Sequence, residues 1–389
     1  MVALFARHDL TPPTTSADYS GPSALEGWYR FDGVWYRSIA EDGYYFRGEV
    51  EQSSVAFFPV YALVMRAFHS LFGGDPAIWG IFITLLSGLT VAVLFYRWCV
   101  SRIGETSARF ALAMLLLWPY GWYLYGAVYA DALFIALVIG AFSLLERDRI
   151  VLATLLGAIA TATRPVGLAV VVGLAVRELE REGVFSLPRL DRVRVARLSP
   201  SEEVGPSRDE RLPWFRFDRT KLRARCAIPL LSIAGLVSYV VYLAARFGEP
   251  FAFAIAERAP GWELKPGPRT WFKVSLFDRL LNLPEGVGYT GALIVQALLA
   301  IGLLALTLRV GRKFGWGYAV YLVVVLAIPL VSSKDFQGIG RYCLGAFPAF
   351  AIAGQSLADR PRLATRFLFV SALVLVVLCG WFARGRYLA

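Results

Sequence analysis

The sequence predicts an all-α polytopic membrane protein with about ten membrane helices, some of them short, and a polar first external loop. Three observations carry this. Of the 389 residues, 57% are hydrophobic and only 18% charged, against about 25% charged in a soluble domain. The apolar residues arrive in runs close to the roughly 20 that a bilayer-spanning helix requires. Basic residues gather in some of the connections, as membrane orientation demands.

The elements follow in order. Met1–Gly27 is polar, contains Pro, Ser and Thr, and has no signal-peptide pattern. It reads as an N-terminal extension (1–27) whose composition suits disorder. A single integral membrane domain (28–383) begins with an external loop, 28–76. Within it, Val55–Phe72 contains Arg66 and His69 and suits the interface better than the hydrocarbon core. The main spans are Ala77–Trp98, Ala108–Gly126, Asp131–Leu145, Cys226–Phe247, Tyr289–Val310, Gly317–Val331, Tyr342–Leu357 and Phe367–Ala383. Ile150–Val176 is interrupted by Thr163-Arg164-Pro165. Proline breaks a helix, and an arginine at membrane depth needs a cavity or a partner. Two short helices meeting at Arg164 are therefore expected there.

Loop charge orients these spans. Arg97–Arg109 carries three Arg against one Glu, Arg309–Lys313 three basic residues, and Asp359–Arg366 three Arg against one Asp. The loop 177–225 carries 13 basic and 9 acidic residues. With Ile150–Val176 as a hairpin, all four fall on one side, which the positive-inside rule makes cytoplasmic. The mixed charge of 177–225 suits a solvated connector more than a lipid-binding patch. The segments 28–54, 248–288 and Ser332–Arg341 then lie on the non-cytoplasmic side, and the tail Arg384–Arg386 departs mildly from the rule. This topology leaves Met1–Ser54 outside with no preceding helix, so a further helix upstream is expected.

Several classes of function drop out. The net charge of +11 reflects topology and calls for no nucleic acid. Cys99, Cys226, Cys343 and Cys379 lie in or beside apolar runs at no metal-ligand spacing. With only His8 and His69, the sequence argues against a His-rich metal site or a Ser-His-Asp triad. The sequence has no internal repeat and no phosphate-cradling glycine loop.

Three polar clusters share the non-cytoplasmic side. Asp32 stands with Arg30, Arg37, Glu41 and Asp42. Trp118–Tyr123 leads through Tyr129 to Asp131. Lys334-Asp335-Phe336-Gln337-Gly338-Ile339-Gly340-Arg341-Tyr342 forms the third, and Arg164 points to the same side. Carboxylates beside arginines can deprotonate a hydroxyl and stabilise a phosphate leaving group. Blander readings stand beside this one. Asp32-Gly33 suits a turn, Asp131 an N-cap, and Lys334 and Arg341 interfacial anchors. The Trp118–Tyr125 rings suit an aromatic belt.

The run Arg30-Phe31-Asp32-Gly33-Val34-Trp35-Tyr36-Arg37-Ser38-Ile39-Ala40-Glu41-Asp42-Gly43-Tyr44, followed by Ala56-Phe57-Phe58-Pro59-Val60-Tyr61, resembles the signature of the PIG-V-like mannosyltransferases. That family comprises the mannosyltransferase of GPI-anchor assembly and bacterial relatives. Tyr129–Phe134, Ala162–Gly167, Phe247–Phe253 and Arg341-Tyr342 add weaker matches in the same order. The chain departs from the pattern at Phe31, where tryptophan is usual. The resemblance implies a GT-C-type glycosyltransferase fold, a polyprenyl-phosphate sugar donor, and inverting transfer without a divalent metal or other cofactor. By position it makes Asp32 the catalytic base and Arg341 the donor-phosphate ligand, with Asp131 and Arg164 lining the cavity. Arg30, Arg37, Asp42, Tyr44, Lys334 and Tyr342 complete the expected donor- and substrate-binding set.

The implied activity moves a hexose, by this resemblance mannose, from a lipid-linked donor to a hydroxyl of a glycolipid or cell-envelope glycan, within the membrane. The rival class is a transporter or flippase of a lipid-linked sugar, which would also carry Arg164 in a broken helix.

Overall fold

The computed structural model describes residues 19–186, 216–281 and 287–388. Most of the expected N-terminal extension, most of the 177–225 loop and residues 282–286 of the 248–288 loop lie outside the described residues.

The described chain is mostly helical. Helices α1 (Asp32–Glu41), α2 (Pro59–Phe72), α3 (Pro76–Ile103) and α4 (Glu105–Leu116) are followed by α5 (Asp131–Glu146), α6 (Ile150–Thr161) and α7 (Leu168–Arg181). A 3₁₀ segment, Ala224–Ile233, runs into α8 (Ala234–Phe247). Then come α9 (Val274–Leu281), α10 (Val287–Leu304), α11 (Thr307–Phe314), α12 (Trp316–Ser332), α13 (Phe347–Ala358) and α14 (Pro361–Ala383). A two-residue antiparallel pair, β1 (Phe185–Ser186) and β2 (Arg216–Phe217), joins the ends flanking 187–215.

Among the described residues, four segments are long and apolar enough to cross a membrane: Pro76–Ile103, Ala224–Phe247, Tyr289–Phe314 and Pro361–Ala383. α6, α12 and α13 are shorter apolar helices. Large apolar side chains point outward from these elements, among them Leu86 and Leu89 on α3, Leu155 on α6 and Phe369 and Leu373 on α14. Such a surface suits lipid and would be costly in water.

The helices fall near the expected spans and differ from them at their ends. α3 starts at Pro76, where the missing N–H costs nothing, and Asp75 accepts from Ala77 N at 2.8 Å. Ala108–Gly126 is not one helix. α4 stops at Leu116, and the chain turns through the 3₁₀ segment Gly121–Leu124. The aromatic-belt reading of this stretch fails: Trp118, Tyr120, Trp122 and Tyr123 are all buried. Tyr289–Val310 divides into α10 and α11, and Tyr342 belongs to a separate turn ahead of α13. Ile150–Val176 is the expected pair of short helices, with a 3₁₀ turn at Pro165–Gly167 just after Arg164.

α7 packs along α12, α4 along α13, and α5 lies between α3 and α6. Small residues allow the closest approaches: a Cβ on Gly317 of α12 would lie 2.3 Å from the Arg177 Cβ of α7. The central core is aromatic, built on Trp98, Phe142, Tyr318, Tyr321 and Phe347. A second core seats α1 through Tyr36, Ile39, Tyr61 and Met65. α5 has 16 residues, so its ends lie about 22–24 Å apart. Its Glu146 end gathers Arg102 and Arg177, and nearby Glu178 binds Arg181 and Arg225. Its Asp131 end faces α1 and Arg341.

Candidate active site

Asp32 opens α1 rather than occupying a free turn. The residue before it, Phe31, is forced to φ 51° and ψ −111°, a conformation that costs a side-chain-bearing residue about 1–3 kcal/mol. Packing holds it there: the Phe31 ring meets Tyr387 at 4.9 Å and Phe382 at 5.7 Å between centroids. The Asp32 N–H donates to the Tyr129 hydroxyl at 3.3 Å. The start of the helix, and with it the carboxylate, is thereby aimed.

Arg341 meets that carboxylate. Its Nη1 donates to Asp32 Oδ2 at 2.7 Å, and its guanidinium sits among the rings of Tyr129, Tyr342 and Tyr123 at 5.0–5.5 Å. Its Nε lies 3.9 Å from Asp131 Oδ1 and has no hydrogen-bond partner among the described residues. Asp131 pairs with Arg164, whose guanidinium also covers the Tyr342 ring at 4.6 Å. The N-cap of α5 is Ala130 and Asp131 is its first residue, so the N-cap reading is overturned: the Asp131 side chain binds a cation instead. The interfacial-anchor reading of Arg341 fails too, because Arg341 is buried. The four charged groups form a chain, Asp32–Arg341–Asp131–Arg164. The Asp32 side chain is 21% exposed and that of Asp131 3%. Of these two carboxylates, Asp32 is the more open to a substrate.

Gly340 places Arg341. Its carbonyl accepts from Trp118 Nε1 at 3.0 Å, and its N–H donates to Gln296 Oε1 at 3.0 Å. A Cβ there would fall 2.2 Å from the Tyr120 ring, so only glycine fits without displacement.

Two cavities meet at Asp32 and Arg341. The smaller, about 140 Å³, adds Asp131, Thr163, Arg164, Tyr36 and Glu257. The larger, about 570 Å³, adds Trp35, Gln52, Lys334, Asp335 and Gln337. Trp262, Leu264, Tyr342 and Tyr387 border both. A third hollow, about 600 Å³, is mostly apolar and lies between α2, α6 and α8, lined by Tyr44, Pro59, Val60, Leu63, Ile159 and Tyr239. It adjoins the smaller cavity, since Phe58 and Thr163 line one and their neighbours Pro59 and Ala162 the other. The Val60 N–H to Ala162 carbonyl bond, 3.3 Å, ties the two walls together.

The structure brings Asp32, Asp131, Arg164, Arg341 and Tyr342 together, with Lys334 at the outer rim of the larger cavity, paired with Glu263. Of the other expected site residues, Arg30, Arg37 and Asp42 line neither cavity, and Tyr44 lines only the apolar hollow. Arg30 is buried, and its Nε donates to the Ala383 carbonyl at 3.1 Å at the end of α14. Arg37 binds Asp75 at 3.1 Å and Glu41 at 2.9 Å, clasping α1 to the start of α3. Five residues beyond Asp32 on a helix, it faces another way. Asp42 is exposed at the end of α1. Tyr44 donates to the Phe57 carbonyl at 2.8 Å and lines the apolar hollow.

Trp262, Tyr387 and Glu257 were not expected at the site. Glu257 follows the short helix Ala252–Ala256, and burial pushes its carboxyl up to about 7. Asp335 is almost fully buried. Its Oδ1 accepts from Gln337 N at 2.9 Å, and its Oδ2 has no partner among the described residues. Lys273 holds this loop from outside, donating to the Leu330 and Ser333 carbonyls at 2.6 Å and to that of Asp335 at 3.2 Å.

Comparison with solved structures finds ArnT from Cupriavidus metallidurans bound to undecaprenyl phosphate. It is 17% identical with a TM-score of 0.50, over 98% of this chain and 62% of that one. The apo oligosaccharyltransferase of Archaeoglobus fulgidus is 12% identical with a TM-score of 0.43, over 98% and 55%. The chain thus spans about three-fifths of the length of ArnT. The likeness to ArnT shows that the two chains share a membrane-helical fold. No protein-family model matches the sequence, and no curated protein does.

Proposed function

We propose that the chain is a membrane glycosyltransferase that moves a hexosyl group from a polyprenyl-phosphate donor to a hydroxyl of a lipid-linked or cell-envelope glycan. The observation that carries this is the meeting of a reachable carboxylate, Asp32, with a half-satisfied arginine fork, Arg341, where two cavities join beside an apolar hollow. The polyprenyl tail lies in the hollow between α2, α6 and α8, and the phosphate enters the smaller cavity toward Arg164 and Arg341. Its oxygens compete with Asp32 for Arg341 Nη1 and supply the acceptor that Nε lacks. Guanidinium geometry suits phosphate oxygens. Once Arg341 turns to the phosphate, the Asp32 carboxylate accepts the proton of the incoming hydroxyl.

The hydroxyl oxygen then bonds to the anomeric carbon from the face opposite the leaving group, and the bond to the phosphate oxygen breaks. The product is inverted, and polyprenyl phosphate departs with its charge held by the arginines. Charges fixed in advance where the transition state develops its own are an efficient way to lower a barrier. The reading needs no divalent metal, and transfer is expected to persist in EDTA. Mannose is the hexose favoured by the likeness of Arg30–Tyr44 to its family signature. The basic groups around the Glu146 end of α5 support reading that end as cytoplasmic, with the site at the Asp131 end on the other face.

The test is to incubate purified protein with a panel of polyprenyl-phosphate sugars and measure release of polyprenyl phosphate. Release with one hexose, strongly reduced in Asp32→Asn, supports the reading. Equal release in that variant counts against it.

A further inference from the structure

The larger cavity has a composition that the donor does not call for. We propose that it is the acceptor subsite and that it takes an uncharged sugar ring; this rests on the transferase reading above. Position comes first. The apolar hollow and Arg164 stand on the side of the smaller cavity, so the larger one is the remaining approach to Asp32.

Charge comes second. Of the two cations lining the larger cavity, Lys334 is engaged by Glu263, and Arg341 by Asp32 at rest and by the donor phosphate during transfer. Two carboxylates, Asp32 and Asp335, line it as well. A phosphorylated or carboxylated acceptor would meet like charge there, and like-charge juxtaposition is how wrong partners are rejected.

Hydrogen bonding is the third argument. Asp335 is 1% exposed, and its Oδ2 lacks a donor among the described residues. A buried acceptor left unsatisfied is costly, and a ligand hydroxyl supplies the missing proton. The Gln52 and Gln337 amides add both donors and acceptors, which is the pairing that hydroxyls use. The wall is aromatic: the Trp35 and Trp262 rings are 5.4 Å apart at 58°, and Trp35 stacks on Phe57 at 5.6 Å. Flat apolar surface beside a few convergent polar groups is what an orienting small-molecule site provides. It matches a pyranose, with a C–H face and a hydroxyl rim.

The experiment uses the full-length protein in detergent with whichever polyprenyl-phosphate hexose it consumes. Four acceptors are compared: octyl α-mannoside, its 6-phosphate, 1-octanol and a threonine-containing peptide. The proposal expects transfer to the neutral glycoside above the other three. Asp335→Asn should raise the KM for octyl mannoside about 10- to 100-fold, with the donor KM changed by less than about twofold. Trp262→Ala should raise the acceptor KM as well, and Trp262→Phe should recover most of it. Preference for octanol, the peptide or the phosphorylated glycoside overturns the proposal. So does an Asp335→Asn variant that leaves the acceptor KM unchanged or raises both KM values alike. Donor consumption by water with every acceptor refused also overturns it, while the donor half of the reading stands. No donor consumption at all, in folded protein, overturns the transferase reading instead.

Discussion

Replacing Arg164 with methionine should destabilise the protein and disarm Asp32 through one displacement. Arg164 is 7% and Asp131 2% exposed, and they form a buried ion pair. Removing one partner of such a pair costs about 3–5 kcal/mol, because the other charge stays buried without compensation. Here a second cation stands ready: Arg341 Nε lies 3.9 Å from Asp131 Oδ1. At an effective dielectric near 20, attraction over that distance is about 4 kcal/mol. The loss should therefore sit at the low end, about 3 kcal/mol, with Arg341 drawn from Asp32 toward Asp131. Thermal unfolding in detergent reads the stability, and release of polyprenyl phosphate reads the activity. Adding Asp131→Asn to Arg164→Met removes the orphaned carboxylate and should return stability to within about 1 kcal/mol of wild type. Activity should stay low, since Arg164 is gone from the smaller cavity. A single variant losing under about 1 kcal/mol, or a double variant as unstable as both singles summed, refutes the reasoning.

Two further predictions concern positioning and pH. Gly340→Ala pushes a Cβ to 2.2 Å from the Tyr120 ring; it should cost about 1–3 kcal/mol and lower transfer by shifting Arg341, both read by the same two assays. The Glu257 carboxyl is raised by burial to about 7, so the folded state holds a proton that the unfolded chain releases near 4.5. Its stabilising effect is then complete below about pH 4.5 and is lost as pH rises through 7, by at most about 3 kcal/mol. Unfolding followed across this range should show that slope, and Glu257→Gln should flatten it.

The membrane helices were legible because their apolar runs are long. Arg164 was legible because an arginine beside proline in such a run is tolerated only where a cavity or a partner receives its charge. Helix ends were harder to read. α4 stops at Leu116 although apolar and aromatic residues continue, because Pro119 lacks the N–H that would bond the Leu115 carbonyl and ends the helix ahead of itself. α10 and α11 divide where no proline or charge announces it.

At the site, Asp32, Asp131, Arg164 and Arg341 were recovered as a set although they lie up to 309 residues apart. Arg30 and Arg37 were drawn in by their nearness in sequence to Asp32, yet helical geometry turns Arg37 to Asp75, and Arg30, ahead of α1, is taken up by the Ala383 carbonyl at the end of α14. The 3.6-residue period singles out Tyr36 instead, one turn from Asp32 and on the wall of the smaller cavity. Glu257 and Trp262 had no local signal, because only the path of residues 248–264 over the site brings them there.

The most direct test of the central claim is a single-turnover assay with labelled polyprenyl-phosphate mannose and a neutral glycoside acceptor. Wild-type protein should release polyprenyl phosphate and form a product of inverted anomeric configuration. Asp32→Asn, folded as wild type, should be slower by about 100- to 10,000-fold. Wild-type turnover in that variant, or movement of the intact lipid-linked sugar across the bilayer without cleavage, contradicts the account.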